Sequence, residues 1–408
     1  MGKLRGNGVH IGTAGRFKLL VVVPTMEMGG AERCVAEILR YLDRRRFAAE
    51  LIMVFERKAF YEIPPDIPVH VLEREAMGEM QASGSDVPVE MLRFGGDYVW
   101  LQAMALRLAG LVRRSRPKVV LARHIFSSVL CCLSRKFWPA DTCLVVSSDT
   151  YTSRVLLNHR HGALYSEVIR RHFGTAERVV ALSQGAADDL AECYGVPANR
   201  VTVIPNPVDV DEIRRLARYE VRHTWYDEGM PIVISVGRLV ETKGFGDLLH
   251  AMRLVGHKGL RTRGVIVGDG EDRERLERLA EELGLGRDIW FAGMETNPFK
   301  YVARSSAFVL ASRYEGFANV IGEAMACGCP VISTDCPSGP AEILQGGRCG
   351  ILVPVGDCEA LADAIIRVIT DEEYRAELIR RGLERAQEFN SKRVVGIYEN
   401  LIMSIAEK

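Results

Sequence analysis

Residues Lys18-Leu-Leu-Val-Val-Val23 form a short, continuous apolar run that stops at Pro24, and Ile232 to Val236 forms another that stops at Gly237-Arg238. Runs of this length, rich in valine and isoleucine, are strands of a parallel sheet covered on both faces. Each is followed by a glycine-bearing loop and then by a helical stretch. After the first, apolar residues recur at Cys34, Val35, Ile38, Leu39 and Leu42; after the second, the helix is expected over Gly246 to Val255. Parallel neighbours need such crossovers, so the chain is constrained to an α/β fold laid down twice.

The remaining apolar runs fit this plan. In the first half, strands are expected at Glu50 to Val54, Val69 to Leu72, Lys118 to Ala122, Cys143 to Ser147, Arg178 to Leu182 and Val201 to Ile204, with a long helix around Tyr98 to Arg114. In the second, strands fall at Gly264 to Val267, Ile289 to Ala292, Ala307 to Ala311 and Pro330 to Thr334, with helices at Glu271 to Leu283 and Ala318 to Cys327. Residues 211–230 are polar and poor in aliphatics, which suits an interdomain connection. At 408 residues the chain suits two domains, 1–209 and 210–390, each with one parallel sheet, leaving a cleft where strand ends face each other.

Several function classes are excluded early. Lys and Arg number 53, as do Asp and Glu, so net charge gives no reason to expect a nucleic-acid partner. The ten cysteines contain no C-x-x-C pair, which removes the zinc-knuckle pattern and leaves free thiols in a reducing cytoplasm. Met1 to Arg16 is basic and glycine-rich without an apolar core, unlike a secretory signal. The best candidate span, Val119 to Leu133, is interrupted by Arg123 and His124 and is too short. The expectation is a soluble protein, or one attached to a membrane surface.

The chemistry concentrates after strand ends. In the segment Arg313 to Pro330, a strand feeds a short loop and a helix that starts near Ala318, with Gly328 as its stop and Pro330 blocking continuation. The free N–H groups at that helix start favour an anion. Glu315 and Glu323 bracket it. Eight helical residues rise about 12 Å, whereas opposed glycosidase carboxyls stand about 5–9.5 Å apart across one bond. They therefore read as two separate acceptors for hydroxyls of one elongated ligand, such as a sugar and a ribose joined by a diphosphate. Taken alone, Glu315 reads better as a loop carboxylate and Glu323 as a solvated helix residue; Gly316-Phe317, Asn319 and the Cys-Gly-Cys-Pro end reverse that.

Gly237-Arg238-Leu239 and Lys243-Gly244 supply two cations five residues apart, able to clamp a pyrophosphate or equally to line a solvated turn. Gly268-Asp269-Gly270 opens onto the same sheet edge. In the first half, Gly29-Gly30-Ala31-Glu32 lies between strand and helix, yet it is neither G-x-G-x-x-G nor a P-loop, so neither a dinucleotide nor a P-loop kinase is inferred. His124 stands just past a strand end, where structural and catalytic roles are both open. Asp209-Val-Asp211 has the form of a metal-binding pair, but its place after Asn206-Pro207 favours helix capping, so no metal is expected.

Together these residues resemble family 4 of the retaining glycosyltransferases, which have the GT-B fold of two Rossmann-like domains. The resemblance rests on Glu315 and Glu323 with seven residues between, on Gly29 to Glu32, Asn206-Pro207-Val208-Asp209, Gly237 to Leu239 with Lys243-Gly244, and Gly268 to Gly270. It runs from about Leu19 to the C-terminus, and Ser333 to Pro340 is similar to members that build bacterial surface glycans, lipopolysaccharide among them, on lipid carriers. The resemblance implies that Arg238 and Lys243 neutralise the donor pyrophosphate and the departing nucleoside diphosphate. Glu315 would hold a donor-sugar hydroxyl, with the Gly316, Phe317 and Ala318 amides near sugar and phosphate, and Glu323 would bind the ribose. Gly29 and Gly30 would let the acceptor-domain loop close over the phosphates, His124 would contact the sugar, and Asn206, Asn319 and Gly268 to Gly270 would complete the donor side. The final helix, about Ser391 to Lys408, would cross back to the first domain.

The expected reaction is metal-independent transfer, with retention, of a hexose or N-acetylhexosamine from a nucleotide sugar, with UDP as the expected base, to a glycan or lipid-linked acceptor. No further cofactor is implied. Basic clusters at Arg107, Arg113, Arg114, Arg116 and Lys118, and at Arg160, Arg170, Arg171 and Arg178, suit an anionic membrane or simply a solvated face. The competing readings are a sugar-nucleotide epimerase or a phosphorylase on the same fold, for which no pyridoxal lysine can be assigned, and a non-catalytic nucleotide-sugar binding protein.

Overall fold

A computed structural model describes residues 16–73 and 97–407. Of the basic N-terminal stretch, residues 1–15 lie outside that description. Among the described residues, thirteen strands form two sheets. The first contains β1 (Phe17–Val23), β2 (Phe47–Met53), β3 (Val69–Val71), β4 (Val119–Ala122), β5 (Cys143–Ser148), β6 (Arg178–Ala181) and β7 (Val201–Val203), in the order β3-β2-β1-β4-β5-β6-β7. The second contains β8 (Ile232–Val236), β9 (Arg263–Val267), β10 (Ile289–Gly293), β11 (Ala307–Leu310), β12 (Val331–Thr334) and β13 (Ile351–Val353), in the order β10-β9-β8-β11-β12-β13. The pairings are parallel, as between β1 and β4 or β8 and β11. Strand order reverses between β1 and β4 and again between β8 and β11. Those are the points where an open α/β sheet leaves a crevice outside its carboxyl ends.

By packing, the described chain divides into two compact units: residues up to Val146 with the chain end from Glu399, and Ser147–Tyr398. In the first, β1 is the buried axis, with Leu19 to Val23 at most 1% exposed. The final helix, Ser391–Ala406, contributes Glu399 to this unit, where its carboxylate accepts the Asp43 N–H (2.7 Å) and faces Arg46 (3.6 Å).

In the second unit, successive residues of each strand enter opposite cores. Ile232, Ile234, Val265, Val267, Phe308 and Leu310 face one; Val233, Ile266, Val309 and Ile332 face the other. This is the two-residue period of a sheet covered on both sides. Helices Val210–Ala217 and Asn319–Ala326 close the first core, and Phe245–His257 and Cys358–Thr370 the second. The polar stretch 211–230 is therefore more than a connection. Ile213 is buried in the core beside Val210, and Leu216, Ala217, Val221, Trp225 and Tyr226 pack against it.

Asp209 caps that helix, its carboxylate accepting the Glu212 N–H at 3.1 Å, as the sequence favours. We predict that Asp209→Ala costs about 1 kcal/mol, which a thermal melt reads as a fall of about 2–4 °C. An unchanged melt with an EDTA-dependent loss of activity would instead give Asp209 a metal.

Candidate active site

Two glycine loops build the floor at the end of β8. Gly237 N–H donates to Val267 C=O (3.0 Å) and Leu239 N–H to Asp269 C=O (2.9 Å), so the loop carrying Arg238 lies against Gly268-Asp269-Gly270. The approach is so close that a Cβ on Gly268, whose φ is 136°, would stand 1.9 Å from Gly237 C=O. Only glycine fits there. Asp269 takes its own neighbour's Gly270 N–H (2.8 Å) and pairs with Arg273 (3.3 Å). Arg238 stays exposed, its side chain without a hydrogen bond or ion pair among the described residues.

Across the switch point stands the loop after β11. Arg313 N–H donates to Thr242 C=O (2.9 Å), which fixes this loop beside Lys243. The Lys243 ammonium then meets Glu315 Oε1 at 2.6 Å. The fully buried Ser312 donates its hydroxyl to the same oxygen, also at 2.6 Å. Ser312 is itself held from β12, because Thr334 Oγ1 donates to its carbonyl (2.5 Å). Glu315 is only 9% exposed and Lys243 26%, so the pair is largely withdrawn from water. Burial and the Glu315 charge push the Cys336 thiol beside them up to about 12, so it stays protonated.

The helix Asn319–Ala326 starts four residues past Glu315. Phe317 and Ala318 are buried, and Ala318 takes φ 57° to turn the chain into the helix. Asn319, the first helical residue, accepts from the buried Asn206 (Nδ2 to Oδ1, 2.9 Å), which ties the Asn206-Pro207 segment to the helix start. Gly316 lies against the backbone of Asp149 and Thr150, where a Cβ would sit 2.4 Å from Asp149 C=O. Its own carbonyl accepts the Ser338 hydroxyl (3.1 Å). Glu323, 9% exposed, follows on the fifth helical residue. Gly328, at φ 74°, ends the helix with Gly328 N–H on Met325 C=O and Cys329 N–H on Ala324 C=O, both 3.0 Å. That is the glycine stop expected from the sequence. This end of the sheet thus presents the exposed Arg238 guanidinium, the Lys243 ammonium held by a carboxylate, and the start of a helix. Positive groups and a helix start of this kind can stabilise an anion.

The family model described as "Glycosyltransferase Family 4" matches residues 28–212, and the one described as "Glycosyl transferases group 1" matches 222–385. The chain belongs to the GT-B glycosyltransferases. It is 27% identical over 383 residues, 92% of this chain and 97% of the relative, to N-acetylgalactosamine-N,N'-diacetylbacillosaminyl-diphospho-undecaprenol 4-alpha-N-acetylgalactosaminyltransferase of Campylobacter jejuni. The lipopolysaccharide core biosynthesis glycosyltransferase LpsE of Rhizobium meliloti is 36% identical over 178 residues, 43% of this chain and half of the relative. A crystal structure of HepE from Anabaena in complex with UDP and glucose shares the fold at a TM-score of 0.73. It is 20% identical, and the match covers 95% of this chain and all of the other. Glycosyl transfer in surface-glycan or lipopolysaccharide synthesis is the activity these relatives support.

Of the other sequence-derived residues of this glycosyltransferase, Gly29 and His124 lie in the first unit, and Arg160, Arg170 and Arg171 in the second. Gly29 is the N-cap of helix Gly30–Tyr41, and its carbonyl accepts the Tyr61 hydroxyl at 3.2 Å. His124, with φ 74°, caps helix Ile125–Ser134, its Nδ1 accepting the Phe126 N–H at 3.2 Å. Of the basic clusters, Arg113, Arg114, Arg116, Arg160, Arg170 and Arg171 are exposed, and Glu167 pairs with both Arg170 and Arg171. No helix of the described residues is long and apolar enough to cross a membrane.

The sequence reading gave no role to Ser312, and took Thr334 and Ser338 only as part of the Ser333 to Pro340 resemblance. Each is a small hydroxyl at or just past a strand end, and Ser312 stands three residues before Glu315. That spacing at the end of a buried run was the available signal.

Proposed function

We propose that this glycosyltransferase moves a hexosyl or N-acetylhexosaminyl group, with retention and without a metal, from a UDP-sugar to a glycan or lipid-linked acceptor. The observation that carries the reading is the Lys243–Glu315 pair at the β8/β11 switch point, beside the exposed Arg238. Cations placed there match the charge that grows on a departing diphosphate, and preorganised charge of this kind lowers the barrier to group transfer more than other single effects do. The bond from the sugar carbon to the phosphate oxygen breaks, the acceptor oxygen bonds that carbon on the same face, and the acceptor proton passes to the leaving phosphate. Glu315 would hold a sugar hydroxyl and Glu323 the ribose, with Gly316, Phe317, Ala318, Gly268 and Gly270 lining the donor. Gly29, Gly30 and His124 would act from the acceptor side. The Campylobacter relative, named for an α-linkage and a diphospho-undecaprenol acceptor, supports both the linkage type and a lipid carrier. The exposed arginines suit anionic headgroups at the inner membrane face, and salt-sensitive binding to anionic vesicles tests that.

The test of the donor site is a thermal-shift panel of UDP, GDP, ADP and dTDP, each with and without EDTA. A nucleotide at 100 times its Kd adds about 2.7 kcal/mol, or a rise of about 5–11 °C. UDP alone shifting the melt, unchanged by EDTA, is the expected result. A shift that EDTA removes would overturn metal independence, and no shift with any nucleotide would overturn the donor site. Incubating a UDP-sugar without acceptor separates the nearest alternative, since an epimerase would isomerise it and a transferase would slowly release UDP.

A further inference from the structure

Lys243 is asked to do two things in the donor site. It neutralises Glu315, at 2.6 Å, and the proposed reaction needs its charge on the diphosphate. If Lys243 moved to the phosphate and nothing replaced it, Glu315 would be left as a carboxylate only 9% exposed without a donor, a costly state for a withdrawn charge. Ser312 resolves the conflict. Its hydroxyl bonds the same oxygen, Oε1, as the ammonium does, and Oε2 takes no hydrogen bond among the described residues.

We infer that Ser312 is a positioning residue: it keeps Glu315 Oε1 bonded, and Oε2 turned to the donor sugar, when Lys243 is drawn to the diphosphate. The inference rests on the donor-site reading above. Three features of the geometry fit the role. Ser312 is fully buried, so water does not compete for its hydroxyl. Its backbone is anchored by Thr334 Oγ1 on the neighbouring strand, so the hydroxyl has a fixed origin. The Glu315 backbone is pinned separately, its N–H on Pro337 C=O (3.3 Å), which leaves the carboxylate torsion as the freedom for Ser312 to remove.

The test compares wild type, Ser312→Ala and Thr334→Val in UDP release from UDP-glucose and UDP-N-acetylglucosamine without acceptor, alongside the thermal shift with UDP. Loss of a hydrogen bond to a charged group corresponds to roughly 10- to 100-fold. For S312A the loss should fall on kcat, with the UDP shift retained, because UDP itself lacks the sugar that Glu315 would hold. T334V removes the anchor and keeps the hydroxyl, so it should lower the melting temperature more than kcat. Unimpaired kcat in S312A overturns the inference alone. So does a T334V defect in kcat equal to that of S312A, or a joint loss of kcat and UDP binding in S312A; each would make Ser312 a structural support of the loop. Wild-type protein that no nucleoside diphosphate stabilises overturns the donor-site reading itself, and this inference with it.

Discussion

Glu315→Ala should lower the turnover of a UDP-sugar by about a thousandfold, while UDP binds at least as tightly as before. The two halves of this expectation come from one ion pair. The carboxylate supplies the acceptor for a sugar hydroxyl, so its removal acts on the sugar end of the donor. The same carboxylate also holds the Lys243 ammonium at 2.6 Å, so its removal frees that cation for the diphosphate. Lys243 is 26% exposed, enough for water to solvate it once released, and the fold should tolerate the change. Lys243→Ala should behave in the opposite sense. It weakens UDP binding and leaves Glu315, at 9% exposure, with Ser312 as its remaining side-chain donor. Turnover and UDP affinity measured on both variants give a crossed pattern. Activity surviving in Glu315→Ala within tenfold would remove Glu315 from the proposed role.

That pair shows where the sequence is legible and where it is not. Arg238 and Lys243, five apart, read as two cations able to clamp one pyrophosphate or to line a solvated turn; the structure gives one of them to Glu315 and leaves the other exposed. The partners are 72 residues apart, and they meet because β8 and β11 are neighbours across the reversal of strand order, which no local pattern contains. Most strands were plain: β8 falls at Ile232–Val236 as expected, because a buried parallel strand is a continuous apolar run, whereas the three-residue β13 was not expected. Helices were harder. In Val119 to Leu133 the strand Val119–Ala122 and the helix Ile125–Ser134 are both mostly buried, so periodicity does not separate them; the break is the backbone turn at His124. The helix Glu372–Glu388 gave the reverse problem. It buries only Leu378, Gly382 and Ala386, and the rest is a surface laced by pairs such as Arg380 with Glu377 and Glu384. The Glu315 to Glu323 spacing was informative for another reason: the helix starts at Asn319, so Glu315 belongs to a loop set by Ser312 and Pro337, not to the helical rise.

The second large effect is expected at a residue with no side chain. Gly268 has φ 136°, and a Cβ there would come within 1.9 Å of Gly237 C=O. The obstacle is backbone, and that backbone is tied on both sides by Gly237 N–H to Val267 C=O (3.0 Å) and Leu239 N–H to Asp269 C=O (2.9 Å). Gly268 N–H is also committed, to Gly293 C=O at 2.8 Å. Three loops therefore interlock at the carboxyl ends of β8, β9 and β10, and Arg238 rides on one of them. Gly268→Ala should cost about 3 kcal/mol or more, a fall in melting temperature of about 6–12 °C, and should abolish the UDP shift by displacing the Arg238 loop. Gly259→Ala is the matched control. Gly259 also has positive φ, 88°, but no atom lies within 4 Å of its Cβ position, so only the backbone strain remains, about 1–2 kcal/mol. It should keep the UDP response intact. If the two variants melted alike and both bound UDP, the close contact between the Gly237 and Gly268 loops would have no energetic weight. If Gly268→Ala alone loses both, the glycines are there to bring two loops to one anion, and the diphosphate site depends on their contact.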